Sequence, residues 1–342
     1  MTIKNEWPLA AVSISHALIN HVDKIYVVDN GSQDGTWQGL KILQDIFPDR
    51  IVVIYYESEL FNQRAISHAL GHLEYIQDNQ LHWAITLDAD EFLVKKFPEP
   101  LKEYLEIASE SWNSIALMVE NFIPSVDFQE DDLNSFQMIE YKTQSYFDYY
   151  QLQNFELQAR AGKLYWQQRR TQSKLFYDLK LRKRLGHACH QVEYGNGIRM
   201  ITHDPGTAMN TSAGLFFIAH LPYTSLRRLK NRTDLRHTEK TGEEFRFFLN
   251  DDVNSLELLF TNMTIDKNSK LFSNSLSTEN VMKDSSFSET IVSVFPVLGP
   301  RWQEIVLAPS VKSESSNQQF ALLVDMAAEY IAIADKLWLE KM

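Results

Sequence analysis

The sequence contains a single cysteine, Cys189, among its 342 residues. One cysteine cannot form an intramolecular disulfide or a cysteine-based zinc site, which favours a reducing compartment such as the cytoplasm. Basic residues are in the minority, with 33 lysines and arginines against 45 acidic residues and a formal net charge of −12. We therefore do not expect a nucleic-acid-binding protein, which would need a basic face.

Long hydrophobic runs are also absent. No apolar segment approaches the roughly 20 residues that cross a bilayer, and residues 1–6 lack the basic-then-apolar pattern of a signal peptide. We expect a cytoplasmic protein that is neither secreted nor membrane-spanning, and peripheral association with the inner face of the membrane is compatible with these features. The chain is 44% hydrophobic and 12% aromatic, which is ample for a buried core.

The first third of the chain alternates segments of strand and helix character. The predicted elements are a helix that follows Trp7-Pro8, a strand over Lys24–Asp29, a helix with Thr36 as its N-cap that runs to about Phe47, a strand over Arg50–Tyr56, a helix over Asn62–Gln77 and a strand over His82–Leu87. Such alternation implies an α/β fold with a mostly parallel sheet flanked by helices.

The remainder of the chain is less regular. Its predicted elements are strands over Ser114–Asn121 and Gly214–Ala219, a helix over Ser225–Leu249, a polar linker over residues 266–288 and a final helix from about Gln318 to Leu339. Ligands of open α/β sheets gather beyond the carboxyl ends of the strands. The residues directly after Val28 and Leu87 are therefore the first candidates for a site.

Three carboxylates follow the strand that ends at Leu87. Asp88, Asp90 and Glu91 form an Asp-x-Asp-Glu sequence. Hard divalent cations such as Mg²⁺ and Mn²⁺ prefer oxygen ligands, and one or two carboxylates with the phosphates of a substrate are a usual shell. A solvated acidic turn is the alternative, but the position at a strand end favours a metal-diphosphate site.

A second polar turn, Asp29–Thr36, follows the strand that ends at Val28. Glycines allow the backbone to turn closely around a ligand, and a carboxylate can accept hydrogen bonds from a base or ribose. An ordinary βα turn is the alternative. The segment does not fit a calcium-binding EF-hand loop, because Gly31 and Asp34 stand where that loop needs a ligand and a glycine.

At these motifs the sequence resembles the family 2 glycosyltransferases and their relatives with the GT-A fold. Lys4–Glu6 resembles the opening Lys-Asn-Glu of that family, Val28–Thr36 its Asp-x-Gly-Ser-x-Asp-Gly-Thr segment, and Trp83–Leu93 its Trp-x-x-x-x-Asp-x-Asp-Glu-Phe-Leu segment. The resemblance is clear over residues 1–93 and weaker over residues 174–232. Only three residues precede Lys4 where the family has its first strand, so we expect a shortened nucleotide floor.

The resemblance implies a GT-A domain over residues 1–250, with a donor half (1–122) and an acceptor half (123–250). The sequence pattern of the remaining residues predicts a mostly helical C-terminal extension over residues 251–342. It also implies sugar transfer, with inversion, from a nucleotide-diphosphate sugar (a UDP- or GDP-sugar) to a saccharide or glycoconjugate acceptor, with Mn²⁺ or Mg²⁺ as cofactor. Asp29 would hold the base or ribose, Asp88 the ribose and the metal shell, and Asp90 the metal, with His220 as a further metal ligand. The other implied nucleotide-binding residues are Asn5, Glu6, Gly31, Asp34, Gln63, Arg64 and Lys230.

Three further sets of residues remain open. Glu193 and Asp204 are the candidates for the catalytic base, with Asp131 and Asp132 as weaker ones. A basic run between Ser225 and Arg232, which includes Arg227 and Arg228, suits a diphosphate or else a solvated helix face. Aromatic side chains crowd residues 136–166, and we expect one of Tyr146, Tyr149 and Tyr150 to line the acceptor side.

A zinc site, a phosphatase and a non-catalytic scaffold are alternatives to the transferase. His68 and His72 share a helix face, but they lack the glutamate of a zinc protease. Haloacid-dehalogenase-like phosphatases also have Asp-x-Asp at a strand end, but near the start of their domain, and Glu91-Phe92 departs from their pattern. A GT-A scaffold that binds nucleotide or glycan with little or no turnover is the more serious alternative.

Overall fold

The structure is a computed structural model. It describes residues 1–58, 62–73, 83–109, 114–125, 127–143, 173–179, 182–185, 191–194, 199–201, 209–210, 216–222, 224–225, 227–228, 281–311 and 316–339. Within these ranges the fold mixes parallel and antiparallel sheets with helices.

The strands are β1 (Thr2–Ile3), β2 (Ile25–Asp29), β3 (Ile51–Tyr55), β4 (Trp83–Ile85), β5 (Glu91–Lys95), β6 (Ser114–Leu117), β7 (Val119–Asn121), β8 (Tyr141–Thr143), β9 (Lys174–Asp178), β10 (Arg182–Leu185), β11 (Gln191–Tyr194), β12 (Arg199–Ile201), β13 (Met209–Asn210), β14 (Phe216–His220) and β15 (Val281–Lys283). The helices are α1 (Leu9–Asn20), α2 (Thr36–Ile46), α3 (Gln63–Leu70), α4 (Leu101–Ser109), α5 (Ser286–Ile291), α6 (Phe295–Leu298), α7 (Trp302–Val306) and α8 (Gln318–Leu339). Single 3₁₀ segments lie at Leu133–Met138, Val292–Val294 and Gly299–Arg301.

A parallel sheet of β1, β2 and β3 forms the N-terminal part of the fold. Ile3 pairs with Asp29, and Asp29 pairs with Tyr55 on its other side. The first strand is therefore present, although it is only two residues long. Because the strands are parallel, their carboxyl ends meet at one edge of the sheet, where the polar turn after Asp29 begins.

Antiparallel pairing brings distant segments to the acidic motif. In the sheet of β5, β14 and β7, Glu91 pairs with His220, and His220 pairs with Asn121 in the parallel ladder on the other side. A second sheet, in the order β13-β6-β9-β4, pairs Ile85 with Phe176. This topology carries His220 from a position far along the chain to the first residue of β5.

Helix α1 lies in the main hydrophobic core. All residues from Leu9 to Leu18 are buried, because the helix is apolar on nearly every face. The core continues into the C-terminal region, where Phe287, Leu298 and Ile305 are completely buried. A smaller cluster contains buried side chains of α3 and α8, among them Ile66 and Phe320. Residues 286–306 therefore pack within the same core as the N-terminal half of the chain.

Within the described residues, most predicted element positions agree with the structure to within a few residues, and the differences have local causes. The helix predicted over Ser225–Leu249 lies almost entirely outside the described residues. The segment Ser114–Asn121 is two strands in different sheets, β6 and β7, separated at the partly exposed Met118. The N-cap of α2 is Gly35, and Thr36 is its first helical residue. The last part of the predicted polar linker contains β15, which pairs with β8, and the first residues of α5, where Phe287 is buried in the core. Among the described residues, no helix has the length and apolar character required to cross a bilayer.

Candidate donor site

The carboxyl end of β2 presents buried polar groups. Asp29 is fully buried, and its Oδ1 accepts a hydrogen bond from the Ser32 backbone N–H at 2.9 Å. Its Oδ2 and both polar atoms of the buried Asn30 amide have no hydrogen-bond partner among the described residues. Burial raises the pKa of Asp29, and the Ser32 hydrogen bonds oppose that rise. Groups of this kind are suited to complete their hydrogen bonds with a ligand.

In the turn that follows, the Asp34 side chain accepts hydrogen bonds from the backbone. Gly31 has a φ of +70°, and a Cβ at this residue would lie 2.8 Å from Cγ of Glu57. Asp34 accepts from the Trp7 backbone N–H at 3.0 Å and from the Thr36 N–H at 3.1 Å. The carboxylate of Asp34 thus holds the turn and the first residue of α2 in position.

The Lys4–Glu6 segment connects this turn to the acidic motif. The Asn5 N–H donates to Ser32 Oγ at 3.0 Å, and Asn5 Oδ1 accepts from the Gln33 N–H at 2.6 Å. The neighbouring Glu6 carboxylate is paired with the guanidinium of Arg228. Asn5 and Glu6 therefore act on different parts of the site from adjacent positions.

Asp88 is the more exposed carboxylate of the acidic motif, with 37% of its side chain accessible. Gln63 Nε2 donates to Asp88 Oδ1 at 2.5 Å, and Lys174 Nζ lies 3.1 Å from Asp88 Oδ2. Lys174 also lies 3.1 Å from Glu91 Oε2 and is nearly inaccessible to solvent. Burial raises the pKa of Glu91 to about 7, while the ammonium of Lys174 opposes the rise. Arg64 follows Gln63 on α3.

Asp90 is buried beside a second cation and a histidine. Arg228 NH2 donates to Asp90 Oδ2 at 2.9 Å, and the Nε2 atom of His220 lies 3.5 Å from the same oxygen. His220 Nδ1 lies 2.7 Å from Asn121 Oδ1, and a proton on Nδ1 would be donated to that oxygen. The lone pair of Nε2 is then available on the side of Asp90, an arrangement typical of metal-binding histidines.

Arg228 is held on all sides by the chain. Its NH1 donates to the Leu221 carbonyl at 3.0 Å, in addition to its bonds with Glu6 and Asp90. Burial alone would lower its pKa, but the two carboxylates raise it above the ordinary value. The neighbouring Arg227 donates to the Trp7 carbonyl at 2.7 Å and to Glu130 Oε2 at 3.1 Å.

These contacts identify functional candidates that the sequence reasoning missed. Lys174 is not among the predicted residues, although a lysine at the start of the apolar strand β9 is a usable signal. Asn121 and Glu130 carried no signal of their own. The sequence predicts that Arg228 binds a diphosphate or lies on a solvated helix face, but in the structure it is buried and paired with the Glu6 and Asp90 carboxylates.

Several predicted site residues lie beyond these contacts. Glu193 is on β11, where the strand register places it opposite Arg184 of β10 and Arg199 of β12. Asp204 and Lys230 lie outside the described residues, as do Tyr146, Tyr149 and Tyr150. The rings of His68 and His72 stack with their centroids 4.6 Å apart. Asp132 caps the 3₁₀ segment Leu133–Met138, and the Asp131 carbonyl accepts from the indole of Trp302.

The potential metal ligands near Asp90 form only part of a divalent-cation site. Within the described residues, no group of three or more histidine, cysteine, aspartate or glutamate side chains is arranged to hold a metal ion. Asp90 and His220 nevertheless meet at 3.5 Å, and Asp88 stands two residues before Asp90. Since Mg²⁺ usually takes one or two carboxylates together with substrate phosphates, these residues fit an ion that arrives with a diphosphate.

The comparison with known families agrees with this geometry. The model of glycosyl transferase family 2 matches residues 1–200, which is more than half of the chain. The chain belongs to glycosyl transferase family 2. A comparison with curated proteins finds no match.

Membership confirms the predicted family and the GT-A fold, and identifies the protein as a glycosyltransferase. Such enzymes use a nucleotide-sugar donor and an acceptor. The matched residues of this glycosyltransferase include the turn after Asp29, the acidic motif and Lys174, whereas His220 and Arg228 lie beyond the match.

Proposed function

We propose that this glycosyltransferase moves a sugar from a UDP- or GDP-sugar to a hydroxyl of a saccharide or glycoconjugate acceptor. The observation that carries the proposal is the carboxyl end of β2, where Asp29 Oδ2 and the Asn30 amide are buried without partners among the described residues. Each such group costs about 1–3 kcal/mol unless a ligand completes its hydrogen bonds. The N–H and O–H groups of a base and ribose would donate to Asp29 Oδ2 and Asn30 Oδ1, and an oxygen of the base or ribose would accept from Asn30 Nδ2.

Mn²⁺ or Mg²⁺ is part of the proposal. Asp90 and His220 would hold the ion, and Asp88 would join them when a diphosphate is present. The bound ion would neutralise charge that develops on the leaving diphosphate. The chain supplies the orientation: Asn121 fixes the His220 ring, and Gln63 and Lys174 hold the Asp88 carboxylate.

The proposal includes inversion at the anomeric carbon, with Glu193 or Asp204 as the base that removes the acceptor proton. Family resemblance supports inversion, and no described contact distinguishes the two residues. The anomeric configuration of the product, determined by NMR, decides the stereochemistry. Full activity in both Glu193→Gln and Asp204→Asn would eliminate both candidates.

The proposed setting is the synthesis of a surface polysaccharide or glycoconjugate in the cytoplasm, including at the inner face of the membrane. The presence of one cysteine in 342 residues is in keeping with a reducing compartment. Nucleotide-sugar hydrolysis assays on cytosolic and membrane fractions of cells that express the protein would test this placement.

Calorimetric titration of UDP and GDP, with and without Mn²⁺, tests the donor site. We expect Mn²⁺ to tighten binding of one of the two nucleotides at least about tenfold. Asp90→Asn should remove the gain from the metal, and Asp29→Asn should weaken binding with and without the metal. Asp45→Asn is the matched control, because Asp45 is a carboxylate on α2 with 73% of its side chain exposed. Binding that is indifferent to Mn²⁺ and to Asp90→Asn would refute the metal site.

One observation favours a second candidate, a scaffold with little or no turnover. Both carboxylates of the Asp-x-Asp motif already have cationic partners, Lys174 at Asp88 and Arg228 at Asp90. A protein that keeps these pairs when nucleotide binds would gain little from a divalent ion. Nucleotide binding without donor hydrolysis would favour this alternative over the transferase.

A further inference from the structure

The C-terminal segment, defined as residues 308–311 and 316–317, lies against the turn that follows Asp29 and the end of β3. Ser310 Oγ donates to the Gln33 carbonyl, and the Asn317 N–H donates to the Tyr55 carbonyl at 3.0 Å. Ser316 Oγ accepts from the Glu57 N–H at 3.2 Å. These partners are more than 250 residues apart in sequence, so the fold itself brings them together.

Two glycines of the turn that follows Asp29 allow the C-terminal segment and Glu57 to lie this close to it. A Cβ at Gly35 would lie 2.2 Å from the carbonyl oxygen of Ala308, a distance that requires the backbone to move. On the other side of the turn, Gly31 leaves room for the side chain of Glu57, whose carboxylate accepts from the Tyr55 hydroxyl at 2.9 Å. Gly35 is therefore needed for contact with the C-terminal segment, independently of any contact with a ligand.

Both ends of the segment are anchored. Before it, Ile305 of α7 is completely buried, and its carbonyl accepts from the indole N–H of Trp7 at 2.7 Å. After it, Phe320 of α8 is buried in a cluster with residues of α3. Helix α3 begins with Gln63, which donates to Asp88. Because of these anchors, the segment has a defined position relative to both motifs of the donor site.

We propose that Ser310 and Ser316 are positioning residues of the donor site, which hold the turn after Asp29 and the end of β3 in the geometry that binds a nucleoside diphosphate. This inference rests on the proposed function. It adds a part of the site from outside residues 1–200, the range that the family model matches. The serines act through the backbone of Gln33 and Glu57 and not through contact with the nucleotide.

The double variant Ser310→Ala/Ser316→Ala tests the proposal. Titration with UDP and GDP should give a Kd about five- to thirtyfold higher than that of the wild type, because the hydrogen bonds that hold Gln33 in the turn and Glu57 after β3 are lost. Ser293→Ala is the matched control, since Ser293 Oγ accepts from Asn20 in the same C-terminal region but away from the turn. The Tm of the free double variant should change no more than that of the control.

Two further variants complete the experiment. Ser310→Thr retains the hydroxyl and should bind nucleotide as the wild type does. Gly35→Ala should weaken binding like the double variant, whereas Gly299→Ala, where a Cβ would meet nothing within 4 Å, should not.

The outcomes separate the two proposals. A wild type that binds one of the nucleotides, with a double variant of equal Kd, overturns the positioning role alone. Weaker binding that accompanies a large loss of Tm in the double variant also overturns it, because the serines would then be structural. A wild type that binds neither UDP nor GDP overturns the proposed donor site, and the positioning role with it.

Discussion

Arg228 connects the Lys4–Glu6 segment to the acidic motif of the site. Its guanidinium is buried and meets Glu6 from the loop after β1 and Asp90 from the acidic motif. A buried cation of this kind is tolerated only when its partners satisfy it, because desolvation of an unpaired charge is expensive. The position of Asp90 therefore depends on a residue 138 positions away along the chain.

Removal of this cation should destabilise the protein. Arg228→Ala removes the guanidinium that the Glu6 and Asp90 carboxylates share, and we expect a loss of about 3–5 kcal/mol in the free energy of unfolding, as for other broken buried pairs. Urea unfolding followed by circular dichroism measures this loss. Arg301→Ala is the control, because the Arg301–Glu304 pair lies at the surface and should have little effect. A midpoint for Arg228→Ala close to that of the control would contradict the assigned role.

The residue types at strand ends predict Asp29, Asp88 and Asp90 as candidate site residues. Their partners were not predictable in the same way. Lys174 and Arg228 reach these carboxylates only through the pairing of β9 with β4 and through the chain that follows β14. Such contacts depend on which strands become neighbours, and the spacing of residues along one segment does not contain that information.

At the level of elements, α1 and its C-cap place two histidines, His16 and His21, beside the acidic strand. His16 lies on α1 with both ring nitrogens buried and without hydrogen-bond partners among the described residues. Its ring contacts those of His21 and Phe92, with centroids 5.3 Å and 5.8 Å away. Burial, followed by the neighbouring His21, holds the pKa of His16 well below 6.5, and burial with Lys95 lowers the pKa of His21 to about 4.

These histidines predict acid sensitivity. Folding keeps both rings neutral, so below pH 6.5 the unfolded state binds more protons than the folded state. Their contribution to stability is therefore complete above pH 6.5 and is lost as the pH falls from 6.5 towards 4, by up to about 1.4 kcal/mol per pH unit for each ring. Urea unfolding at pH 7.5, 6.5 and 5.5 measures the slope. His16→Leu should have a shallower slope than the wild type, and an equal slope would show that His16 does not contribute.

The hydrophobic periodicity of the sequence predicts an element best where burial of one face of the segment determines its structure. The final helix was predicted from about Gln318 to Leu339, and α8 has these bounds. Where pairing partners decide, the pattern was insufficient: the apolar run over Ser114–Asn121 reads as one strand, but its halves pair with β9 and β14 in different sheets. Because Met118 is itself apolar, the hydrophobic pattern does not show that the strand breaks at this residue.

At the level of the whole molecule, the C-terminal region is part of the main core. The indole of Trp302 donates to the Asp131 carbonyl at 2.6 Å, and Asn20 of α1 donates to Ser293. A buried ion cluster adds to this, with Lys142 of β8 at 2.7 Å from Asp284. The family match ends at residue 200, but these contacts make the later residues part of the structure that supports the donor site.

The central claim is that this glycosyltransferase uses a nucleotide sugar at the Asp29 and Asp88–Asp90 site. The most direct test incubates the protein with a panel of UDP- and GDP-sugars and Mn²⁺, and follows release of the nucleoside diphosphate by ³¹P NMR. We predict slow hydrolysis of one donor by the wild type and by Asp45→Asn, and a loss of about a hundredfold or more in Asp88→Asn and Asp90→Asn. Hydrolysis of no donor, or equal hydrolysis by the wild type and both motif variants, would contradict the claim.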